Sequence, residues 1–64
     1  MRYKVTWQFN DGESETQTFD DADIAKVEAA SRGSAYAREY GKCETTIYDD
    51  IGHPHLIQTD SYGA

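Results

Sequence analysis

Cysteine, proline, positive charge and large apolar side chains are all scarce in this chain of 64 residues. The single cysteine, Cys43, excludes an internal disulfide and any zinc site built from several cysteines, which suits a reducing cytosol. No apolar run approaches the ~18 residues of a membrane span, and no signal-peptide pattern opens the chain. The expectation is therefore a cytoplasmic protein that does not enter membranes. Of 24 hydrophobic residues, seven are alanine, leaving 17 larger ones. A core of that size typically contributes ~3–5 kcal/mol, so residues 1–64 are expected to form one small domain. Six bases stand against twelve acids, a net charge of −6. That balance disfavours direct contact with nucleic acid or an anionic membrane and favours a cationic protein partner.

Patterns that carry catalysis or bind cofactors are also missing. The two histidines, His53 and His55, flank Pro54 in a turn-like stretch, with no nucleophile and acid patterned around them as a triad needs. There is no Gly-rich phosphate loop, and the acids around Asp11 lack the spacing of a calcium loop. Asp49, Asp50, His53 and His55 fall within seven residues and are a legitimate zinc set by type. A polar hairpin loop with water-facing histidines explains the same residues, so no metal, cofactor or enzymatic activity is expected. Cys43 reads as a small buried strand residue rather than a reactive thiol.

What is present patterns well. Tyr3, Val5, Trp7 and Phe9 alternate with polar residues, the period of a half-buried strand with these four on one face. Asn10-Asp11-Gly12 is a turn signal, with Gly12 able to supply a positive φ. The resulting hairpin pairs Phe9 with Glu13, Val5 with Gln17 and Tyr3 with Phe19, and on the other face Lys4 with Thr18 and Thr6 with Thr16. Asp20-Asp21-Ala22-Asp23 places carboxylates where a helix N-terminus uses them. Ala22, Ala25, Ala29, Gly33, Tyr36 and Tyr40 form a stripe of mostly small residues on one helical face. Ser31-Arg32-Gly33-Ser34 interrupts this segment and leaves three readings open. They are one long helix, two helices meeting near Ser31, or an extended Val27–Ala30 before a short helix. Gly41 ends the helix. Cys43–Asp49 reads as a third strand, Asp50–Pro54 as a turn, His55–Thr59 as a fourth strand and Asp60–Ala64 as a frayed tail. The expected fold class is α+β, a small antiparallel sheet in ββαββ order with one face covered by helix.

Charge is laid out in blocks. Between Asn10 and Ala25 lie Asp11, Glu13, Glu15, Asp20, Asp21 and Asp23 with no base. From Cys43 onward Glu44, Asp49, Asp50 and Asp60 again stand without one. A solvated surface explains acids in general, whereas separation of the signs suggests a negative face that docks on a phosphate-binding surface. The candidate partner-binding residues are Asp11, Glu13, Glu15, Asp20, Asp21, Asp23, Asp49 and Asp50. Those at the hairpin tip are expected to be the ones least needed for folding.

The step Val27-Glu28-Ala29-Ala30-Ser31, the Ala-rich segment through Tyr40 and the two strands after it resemble small phage-encoded anti-CRISPR proteins over roughly residues 27–60. That resemblance implies a stoichiometric inhibitor without catalytic residues. Its implied partner is a CRISPR effector subunit in the host bacterial cytosol, held so that target DNA cannot bind. The competing expectation is a small regulatory or structural interaction domain unrelated to nucleic-acid machinery.

Overall fold

The computed structural model describes residues 2–49 and 55–63. It contains strands β1 (Tyr3–Phe9) and β2 (Ser14–Phe19), helix α1 (Ala22–Tyr40), and strands β3 (Lys42–Asp49) and β4 (His55–Gly63). The strands form one antiparallel sheet in the order β2-β1-β3-β4. The helix packs on one face, chiefly over β1 and β3. The α+β architecture read from the sequence is the one observed.

The first hairpin adopts the expected register, Tyr3 opposite Phe19, Lys4 opposite Thr18, Val5 opposite Gln17 and Thr6 opposite Thr16. Its turn closes through the Phe9 amide donating to the Glu13 carbonyl at 2.8 Å, with Gly12 at φ +93°. A one-residue slip would have moved Phe19 off the core face; instead Phe19 packs against the cluster that holds the fully buried Val5 and Trp7.

Of the three readings of the Asp20–Tyr40 segment, the continuous helix is the one observed. Asp21 caps it, its carboxylate accepting from the amides of Asp23 and Ile24 at 2.8 and 3.0 Å. At the far end Gly41 takes φ +94° and its amide returns to the Ala37 carbonyl at 2.8 Å. Gly33 does not break the helix. It is buried, and a Cβ there would lie 2.8 Å from the Tyr62 ring and 3.0 Å from the Thr45 methyl. The glycine is the gap that lets helix and sheet approach closely, and the helix-propensity cost of ~1 kcal/mol is accepted for that packing.

Asp60–Gly63 is not a frayed tail. These residues continue β4, with Tyr62 opposite Cys43 and Gly63 opposite Lys42. The physical reason is Tyr62, whose ring lies on Gly33 and anchors the end of the strand. The expected turn over Asp50–Pro54 lies outside the described residues.

Val5, Trp7, Ala25, Ala29, Cys43 and Ile47 make the buried core, with Tyr3, Phe9, Phe19, Tyr36 and Ala37 packed around it. Trp7 is its centre. The indole Nε1–H donates to the Ala29 carbonyl at 3.2 Å, and the Tyr36 ring meets Trp7 edge-on at 6.2 Å. Phe9 extends the aromatic cluster to Tyr36 and Tyr40, with centroids 4.9 and 5.1 Å away.

Candidate functional site

Folding divides the expected acidic residues between two ends of the sheet. Asp11 and Glu13 sit at the β1–β2 turn. Asp20, Asp21 and Asp23 lie at the opposite end, where β2 gives way to α1. Along six strand residues the two groups stand ~20 Å apart. Asp49 joins the second group. It pairs with Tyr3, which pairs on its other side with Phe19, so Asp49 lies two strands from Phe19, ~10 Å away. Asp50 and His53 lie outside the described residues, as does the side chain of His55.

The carboxylates in these groups are not equivalent. Asp20 and Asp23 are exposed, whereas Asp21 is committed to the helix cap. Asp11 accepts from the Glu13 amide at 2.9 Å and so shapes its own turn. Glu15 is engaged most fully. One of its oxygens takes the Arg32 guanidinium at 2.6 Å and the other takes the Tyr36 hydroxyl at 2.9 Å. Asp11 and Glu15 thus make structural contacts, where the sequence suggests the hairpin carboxylates are the ones least needed for folding. Glu15 belongs to a clamp between helix and sheet.

Arg32 is the residue that sequence reasoning passes over. From the helix it reaches Glu15 and Gln17 on β2, donates to the Tyr36 hydroxyl at 2.9 Å and lies over the Trp7 ring, 4.1 Å from its centroid. It is thus the cation that holds β2 under the flank of α1. Its signal in the sequence is that it stands in the middle of the helix, a multiple of four residues after Ile24 and Glu28 on one flank.

The sheet face away from the helix is polar across its centre. The register aligns Thr16, Thr6, Thr46 and Thr59 in one row across all four strands. Thr6 and Thr16 share a hydroxyl–hydroxyl hydrogen bond at 3.2 Å. Lys4, on the same face, sits 5.9 Å from the centroid of the Tyr48 ring.

Cys43 is completely buried in β3, as expected for a strand residue. Burial, with Glu44 beside it, pushes its thiol pKa up, the opposite of what a reactive cysteine needs. Among the described residues, no group of three or more His, Cys, Asp or Glu is placed to hold a metal ion, and no helix is long and apolar enough to cross a membrane. Comparison with family models, curated proteins and solved structures gives no significant match to this chain.

Proposed function

We propose that this protein is a small acidic inhibitor, similar to anti-CRISPR proteins, that docks on a basic nucleic-acid-binding surface. By occupying that surface in the host bacterial cytosol it keeps target DNA from binding. The observation that carries this reading is the gathering of Asp20, Asp21, Asp23 and Asp49 at one end of the sheet, with Asp11 and Glu13 at the other end of β2. Carboxylates held on a rigid frame raise the local negative potential and steer a cationic surface toward it. The resemblance makes CRISPR effector complexes the first partners to test.

The test is binding of the protein to purified effector complexes, with target duplex as competitor. Wild type is expected to bind, to exclude the duplex and to associate more slowly as salt rises from ~0.05 to ~0.5 M. The double variant Asp20→Lys/Asp23→Lys spares the Asp21 cap and is expected to bind more weakly. Its melting curve separates that effect from the loss of favourable helix N-terminal charge, worth ~0.3–1 kcal/mol per group. Binding unchanged by the double reversal, by reversal of Glu13 and by salt would reject the reading.

A further inference from the structure

We infer that the free edge of β2 receives an extended segment of the partner as a fifth strand, a segment basic at both ends and uncharged in its middle. This rests on the acidic-surface reading and specifies how that surface engages its partner. β2 is an outer strand of the sheet. Because the Phe9 amide bonds the Glu13 carbonyl, the odd-numbered residues of β2 direct their backbone groups to β1. Ser14, Thr16 and Thr18 therefore direct theirs outward. Natural edge strands are commonly blunted by lysine, proline or a bulge. β2 reads Ser-Glu-Thr-Gln-Thr-Phe and pairs with β1 without a register shift, so it has none of these, and its one charge, Glu15, is turned to the helix and paired with Arg32 rather than left at the edge. The other outer strand, β4, does carry an irregularity, between Ile47 and Tyr48 of its partner β3.

Charge identifies the occupant. Asp11 and Glu13 precede the strand and Asp20, Asp21 and Asp23 follow it, so lysines or arginines at both ends of an added segment meet carboxylates. A second copy of this chain added antiparallel would bring the tip acids of one copy beside the helix-end acids of the other, a repulsive arrangement. The middle of the added segment faces no unpaired charge, because the one charge within β2, Glu15, is already held by Arg32, so an uncharged middle fits it. Ile24 lies on the same helix flank as Arg32, two turns earlier, and is 55% exposed, an apolar contact for that segment beside the far end of β2. Backbone pairing supplies affinity in strand addition, and the flanking contacts supply selectivity.

A synthetic peptide of about ten residues, with paired lysines flanking an alternating Thr–Val centre, is the probe; six residues of strand span ~20 Å. Titration followed by amide NMR is expected to shift Ser14–Phe19 and to slow hydrogen exchange at Thr16. The same peptide N-methylated at alternate residues keeps every charge but loses one edge of hydrogen bonds, and is expected to bind at least about tenfold more weakly. Thr16→Pro and Ser14→Pro remove outward amides at positions where an edge strand tolerates proline, and each is expected to weaken the peptide similarly. The N-methylated peptide needs no variant, so a proline variant that fails to fold leaves the result standing. Equal binding of both peptides rejects strand addition, because charge alone then holds them. If neither peptide binds while a basic effector surface does, strand addition is likewise rejected and the acidic-surface reading survives.

Discussion

Trp7 joins three kinds of contact in one side chain: complete burial, a hydrogen bond to the helix backbone and a guanidinium stacked on its ring. Trp7→Ala should cost ~3–5 kcal/mol, close to the whole stability of so small a domain. The expected outcome is loss of a cooperative melt by circular dichroism; a melt near the wild-type temperature would show that Trp7 is not the centre of the core. Gly33 gives a sharper test, because propensity and packing pull in opposite directions. Alanine favours the helix by ~1 kcal/mol, whereas its Cβ would meet Tyr62 at 2.8 Å. Overpacking of this kind costs ~1–3 kcal/mol, so Gly33→Ala is expected to lower the urea midpoint. A raised midpoint would mean that the Tyr62 ring moves aside freely.

At the scale of elements, α1 depends on its first turn and β4 on its last residues. Asp21→Ala removes the acceptor for two helix amides and should cost ~0.5–2 kcal/mol, while Asp20→Ala, outside the cap, should cost less, at most the ~0.3–1 kcal/mol of a charge near the helix N-terminus. The β3–β4 pair carries a pH dependence. Burial pushes up the pKa of Cys43, with Glu44 adding to it, and that of Tyr62, with Asp60 adding to it. The folded state therefore holds both protons more tightly than the unfolded chain. Their stabilisation is complete below the ordinary values of 9.0 and 10.0 and is lost as pH rises through the raised folded ones. Urea midpoints are expected to fall from about pH 8 to about pH 11, and the fall should be shallower in Tyr62→Phe with Cys43→Ala.

For the whole molecule, a net charge of −6 on 64 residues makes salt act in opposite directions on folding and on binding. Carboxylates gathered at each end of β2 repel one another, so screening should raise the melting temperature between ~0.02 and ~0.5 M salt. The same screening should slow capture of a basic partner. Measured together, these separate lost attraction from lost structure: weaker binding at a salt concentration where the fold is firmer cannot come from unfolding. A melting temperature that falls with added salt would show instead that ion pairs such as Arg32–Glu15 outweigh the repulsion.

Much of this fold is local and was therefore legible in the sequence. The alternation of Tyr3–Phe9 and the Asn-Asp-Gly turn determine the first hairpin, because period two and a positive-φ glycine act over neighbouring residues. Gly41 marks the helix end for the same reason, whereas Asp20-Asp21-Ala22-Asp23 only offers a start, and the structure alone decides which of the three readings of the segment holds. Other features needed contacts between residues distant in the chain. Gly33 reads as a helix breaker until the Tyr62 ring, contributed by β4, is seen to fill the space beside it. The same contact turns an expected frayed tail into strand. Arg32 and Glu15, 17 positions apart, become a clamp only when the helix lies across the sheet. The acidic block between Asn10 and Ala25 is one run in the sequence, yet strand geometry carries its two halves to opposite ends of β2 and leaves the strand's edge open between them. Composition determined the sign of the surface; only the tertiary fold decided where each charge stands, because position in space depends on strand pairing and helix packing rather than on order along the chain.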